Sequence, residues 1–339
     1  MGILDRIFGN RKEPEAGENE IADAIIDRIV ESTDKRLALV SGYRKILRDC
    51  ALTTLEHLRA LLQVIPGPID VGAAAWAQDH SLHAMLARAE DAPRAFSADG
   101  TVRAFFESSA AEHCLALFGL EHTERHVLAP ALVGEQVQHG VARTTVSFDH
   151  PRVLAPSAEM QTLRIELGKR MIDFLAMRAM EQVSARRDEK KALENERALL
   201  KARLALAERA GRGLTGLAAA EAKPRSDAAT IARELSELEK QLAGFSSTGL
   251  MQELLETVRG TYGSPSTHLR HAVSSLSLDA MNFKVESSQK SEFSLQIVDL
   301  WLASRAGERG PFALIIARFP RSELLPSQRL LAEAQKFAL

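Results

Sequence analysis

The chain has 339 residues, enough for two or three hydrophobic cores, and its 45% hydrophobic and 26% charged content excludes disorder of the whole. Forty-three Lys and Arg nearly cancel 45 Asp and Glu, so no overall positive field exists to gather nucleic acid, and none is expected as a partner. Two cysteines, Cys50 and Cys114, without CxxC spacing cannot make a disulfide framework, and no run approaches the ~18 apolar residues of a membrane span. The expected setting is a reducing cytoplasm.

The N-terminal head carries Ile3, Leu4, Ile7 and Phe8 at helical spacing, followed by NRKEPEAGENE (10–20), which has no core-forming residue. An apolar stripe on a polar tether is a candidate docking element for a membrane surface or a partner. With only Asp5, Arg6, Arg11 and Lys12 nearby, its bilayer contact would be weak and peripheral. Arg6 stands where a myristoylation motif wants Ser or Thr.

From Ile21 to Ile65 the apolar positions step by three and four, predicting one long helix or two that stop at Pro66-Gly67-Pro68. Shorter helices are expected around 72–89 (Trp76, Leu82, Met85, Leu86) and 101–128 (Phe105, Phe106, Leu115, Phe118, Leu120). Residues 140–148 are rich in β-branched side chains, and with Asp149-His150-Pro151 as the turn and 152–156 beyond it they predict a β-hairpin. Segment 21–157 thus reads as a helical bundle ending in that hairpin.

Segment 158–260 reads as a helical coiled-coil hairpin. Ser157 is a candidate N-cap for a charge-dense helix running to Ala210. Gly211, Gly213, Gly216 and Pro224 break it, and a second arm follows in which Ile231, Leu235, Leu238, Leu242 and Phe245 alternate steps of four and three. These five are the candidate partner-binding residues. Their nearest mate is Leu193, Leu200 and Leu204 of the first arm, and pairing between chains is the competing reading. A short helix, 250–258, closes the segment.

The last segment, 265–339, reads as a β-meander of 275–286, 292–302 and 312–319, with a terminal helix from about Pro326. Phase slips at Met281 and between Ile297 and Val298 suggest bulges, and the continuously apolar third strand is expected to be central. The fold class expected is therefore α+β, mainly helical with a minor β component.

Candidate chemistry is thin. GRGLTG (211–216) has GxGxxG spacing but follows a charged helix instead of a strand, so it reads as a helix breaker. His122 and His126, at i, i+4 on the expected helix near Glu112, His113, Cys114 and Glu121, could face one metal, but HTERH lacks the HExxH order, so no metal or cofactor is assigned. The pairs His80/His83 and His268/His271 have no third ligand nearby. Ser32/Lys35 has SxxK spacing without its partner motifs, and Asp149-His150 reads as turn chemistry. No catalytic residue is assigned. The expected function is a non-enzymatic cytoplasmic scaffold or adaptor docking partners, or itself, through the coiled coil. The alternative is a ligand-sensing regulator or metal-dependent enzyme with its site between the bundle and the β segments.

Overall fold

The protein is described by a computed structural model covering residues 16–133, 136–212, 223–245, 249–285 and 293–326. The chain is α+β, with a six-stranded sheet curled into a half-barrel and one very long helix. The apolar head and the expected helix after Pro326 lie outside the described residues.

The helical repeat of the N-terminal segment resolves into α1 (Ala16–Ser32) and α2 (Tyr43–Val64), separated by a 3-10 turn at Lys35–Leu39. The Asp34 carboxylate accepts the Arg36 amide at 2.9 Å to start that turn, and Gly42, at φ 74°, supplies the left-handed step into α2. After Pro66 come β1 (Ile69–Asp70) and four short helices: α3 (Ala73–Trp76), α4 (His80–Met85), α5 (Asp91–Ala98) and α6 (Gly100–Ser108).

One expectation fails next. Leu115, Phe118 and Leu120 lie not on a helix but in β2 (His113–Val133), which forms a long hairpin with β3 (Gln136–Ser157). The run Cys114–Leu120 is apolar because both faces of the strand are covered; spacing of three among such residues imitates a helix. The hairpin reverses between Val133 and Gln136, so Asp149-His150-Pro151 is not its turn. Those residues form a bulge instead. The pairings Glu121↔Asp149 and Gly119↔Arg152 give β3 one extra residue, and His150 takes φ 51° to absorb it. Two further bulges in β3 carry their own positive φ, at Gly140 (75°) and Ala155 (56°). Each extra residue swaps which side of the strand points inward, so Phe148, Val153 and Ala155 alternate irregularly between the two cores. Repeated bulging on one strand raises the local twist, which accounts for the curl of the sheet.

Then follow α7 (Met160–Arg212), α8 (Lys223–Gly244), α9 (Leu250–Gly263), β4 (Leu269–Leu278), β5 (Phe293–Ser304) and β6 (Gly307–Pro320). Ser157 Oγ accepts the Glu159 amide at 3.3 Å at the start of α7. The strand order is β3-β2-β6-β5-β4, antiparallel throughout, with β1 added in parallel to the end of β6. The last three strands therefore do not stand as a separate meander, because β6 also pairs with β2 from His113↔Pro320 to Glu121↔Phe312. β6 is central, and its alternation separates the cores: Ala313, Ile315, Ala317 and Phe319 face one side, Leu314 and Ile316 the other. Met281 does not continue β4, which ends at Leu278; residues 283–285 turn back across its end and bridge to β3 at Thr145↔Phe283. The slip expected at Ile297/Val298 lies instead between Leu300 and Leu302.

The sheet has helices on both faces. Helices α4, α5 and α6 fill the face bearing Phe118 and Phe319, with Phe96 stacked 4.5 Å from the Phe319 ring. Helices α1, α2, α9 and the first half of α7 cover the other. Tyr262 of α9, fully buried, donates its hydroxyl to the Ile172 carbonyl of α7 at 2.7 Å, and Thr54 of α2 donates to the Tyr262 carbonyl at 2.6 Å. These bonds fix three helices where burial alone would let them slide.

Candidate functional site

Val183 is the last residue of helix α7 in the main core. Beyond that point about 29 residues, roughly 40 Å of helix, have a separate small core shared with α8. There Leu200, Ile231 and Leu238 are buried, with Leu193, Leu204 and Leu235 packed around them, and Lys201 pairs with Glu239 at 3.2 Å. Of the five predicted partner-binding residues, Ile231 and Leu238 are thus buried within the chain, and Leu235, Leu242 and Phe245 are half-buried. The stripe finds its mate in the same molecule. Sequence reading missed the opposite side of α7, where Leu199 and Leu206 are 60% and 65% exposed. Their seven-residue spacing was available as a signal, but the Leu193/Leu200/Leu204 repeat beside it took precedence.

A second arrangement crosses the sheet. The His122 ring on β2 places Nδ1 2.8 Å from Asp299 Oδ1 on β5, and Ser274 Oγ on β4 donates to Asp299 Oδ2 at 2.5 Å. Strand β6 lies between β2 and β5, and Ala313, paired with both Leu120 and Asp299, is small enough to let the side chains meet above it. Phe148 stacks on the imidazole at 5.3 Å. Nε2, buried and without a hydrogen-bond partner, stands 3.6 Å from Glu124 Oε1, and Glu124 is held by Lys284 at 2.5 Å. The serine bonds the carboxylate and not the imidazole, so this is not the order in which a histidine activates a nucleophile. It is a buried polar line in an apolar face.

The metal geometry imagined for His122 and His126 is lost because the pair lies on a strand. Four residues of strand put the two roughly 13 Å apart, and His126 Nδ1 instead meets Thr144 Oγ1 at 3.0 Å. Among the described residues no group of three or more His, Cys, Asp or Glu is disposed to hold a metal ion. The His83 ring packs against Trp76 at a tilt of 46°, centroids 4.1 Å apart, with His80 beside it. His268 and His271 sit near the junction of α2, α7 and β4, where burial pushes both below the usual imidazole range, helped by Arg178 and His57 respectively. Ser32 donates to Asp173 at 2.6 Å beside the Arg28 guanidinium, a clamp between α1 and α7 that leaves no serine–lysine pair. His150 contacts Glu121 at 3.1 Å on the surface. Residues 213–216 of the glycine-rich break lie outside the described residues.

A cleft of about 680 Å³ lies between β1, α3 and the ends of β2 and β6. Four of its charged residues are already engaged: Arg318 pairs with Asp70, Glu323 accepts the Ala73 amide at 2.6 Å, and Arg321 donates to the carbonyls of Phe106, Ser109 and Ala111. No helix among the described residues is long and apolar enough to cross a membrane. No known protein family, curated protein or solved structure matches the chain.

Proposed function

We propose that the protein is a non-enzymatic scaffold or adaptor that offers the outer face of its α7–α8 arm to a protein partner. The observation supporting this is the exposure of Leu199 and Leu206, two turns apart, on a helix whose other side is already sealed by α8. Large apolar side chains repeated along one face of a surface helix are the anchors that helix-recognising partners use. In this reading the protein works in the cytoplasm, and the stripe Ile3, Leu4, Ile7 and Phe8 adds a weak second contact at a membrane surface.

The test is a Leu199→Glu/Leu206→Glu double variant, purified under gentle conditions from native cells beside the parent chain and compared by quantitative mass spectrometry. Circular dichroism should show unchanged helix content. A co-purifying set lost from the variant supports the adaptor; an unchanged set refutes arm-mediated docking.

A further inference from the structure

We infer that the outer face of α7 pairs with the same face of a second copy, the two helices running antiparallel and crossing near Leu200 and Lys201. This rests on the arm being a docking surface and names its occupant. The stripe is Ala192, Asn195, Leu199, Ala202 and Leu206, which alternates steps of three and four as an interhelical seam requires, and it faces away from the seam with α8. The solvent side of α8 carries Arg233, Glu234, Ser236, Glu237 and Lys240 and, among its described residues, exposes no large apolar side chain comparable to Leu199 and Leu206.

Two complementarities select a second copy as the occupant. The first is size. With antiparallel helices centred between positions 200 and 201, Leu199 of one copy meets Ala202 of the other, and exposed Ala198 and Ala205 flank that contact, so large side chains enter spaces left by small ones. Leu206 falls against Asn195 and Ala192 of the second copy. The second is charge. Glu196 and Arg203, both exposed and without an ion pair among the described residues, lie seven positions apart on one flank of the stripe. Antiparallel crossing brings Glu196 of each copy beside Arg203 of the other, twice by symmetry. Parallel crossing stacks leucine on leucine and leaves Arg203 beside Ala198. The antiparallel form also sets the two bodies at opposite ends of a shared four-helix bundle.

Sedimentation velocity of the full chain at about 1 to 100 µM, the range of modest protein–protein contacts, should show a concentration-dependent dimer. Leu199→Glu/Leu206→Glu should weaken it by about 100-fold or more. Glu196→Arg and Arg203→Glu should each weaken it by roughly 5- to 10-fold, and the double charge swap should restore it. For orientation, Ala192→Cys mixed with Arg209→Cys should oxidise to a mixed disulfide. Arg209→Cys alone should not self-link, because antiparallel copies hold those positions roughly 25 Å apart. A monomer at every concentration, a dimer indifferent to Leu199 and Leu206, or a self-linked Arg209→Cys dimer each overturns the inference. A monomer that still loses co-purifying proteins in the Leu199/Leu206 variant overturns self-pairing and leaves the adaptor standing. A dimer whose co-purifying set ignores the variant does the reverse.

Discussion

Asp299 is the residue on which the polar line across the sheet depends, and replacing it by leucine, close in volume, isolates the electrostatic cost from any cavity. The change removes the acceptor of His122 Nδ1 at 2.8 Å and of Ser274 Oγ at 2.5 Å. A buried polar group left without its partner costs about 1 to 3 kcal/mol. His122 is 6% exposed and cannot turn to water, so it falls at the upper end, whereas Ser274 is only half-buried and falls at the lower. The sum is about 3 to 4 kcal/mol, a large share of the ~5 to 15 kcal/mol by which domains are stable. Urea unfolding at constant pH, followed by circular dichroism, measures it. The same reasoning requires that His122→Phe, Ser274→Ala and Asp299→Leu together recover to within about 1 kcal/mol of the parent, since no orphaned group then remains. A single variant losing under about 0.5 kcal/mol, or a triple variant no better than the single, would refute the account.

Three other outcomes follow from the same structure. Leu238→Ala should cost the arm about 2 to 4 kcal/mol, and hydrogen exchange should quicken in α8 and in α7 beyond Val183 while α2 and β6 stay protected; equal loss of protection everywhere would mean that the arm has no separate core. His268 and His271 are held below the ordinary imidazole value by burial, so the folded state resists the protons that the unfolded chain accepts. Stability should therefore be intact above about pH 6.5 and decline as pH falls below it, and His268→Gln/His271→Gln should flatten that slope in pH-dependent denaturant titrations. Burial pushes the Cys50 thiol up to about 11 and the Cys114 thiol up to about 12, so both should resist a thiol reagent at pH 8 until denaturant is added; prompt labelling in native buffer would contradict their placement.

Legibility in the sequence tracked how many neighbours an element needs. The helices around Ile25, Leu47 and Leu58 and the pairing of Leu200 with Ile231 and Leu238 could be read because amphipathic periodicity is written within one segment. Strand β6 could be read as central because Leu314–Ala317 is apolar at every position. Strand β2 could not, since Cys114–Leu120 is equally apolar and lacks the β-branched residues that distinguish 140–148. Asp149-His150-Pro151 misled for a related reason: residues tolerant of unusual dihedrals serve bulges as readily as turns, and only the partner strand decides which. The His122–Asp299–Ser274 line joins positions 25 to 177 residues apart and left no local pattern at all.

The insertion of β6 between β2 and β5 has a consequence for how the molecule must be made. When the ribosome has released β2 and β3, the strand face that β6 will occupy from His113 to Glu121 is still waiting for a segment about 190 residues downstream. The arm and two strands, β4 and β5, emerge before that vacancy is filled, so the nascent chain carries an apolar, hydrogen-bonding edge through most of its synthesis. Halting translation before Gly307 would release a product whose sheet has no middle, and cellular protection of the newborn chain should matter most in the interval before that strand emerges.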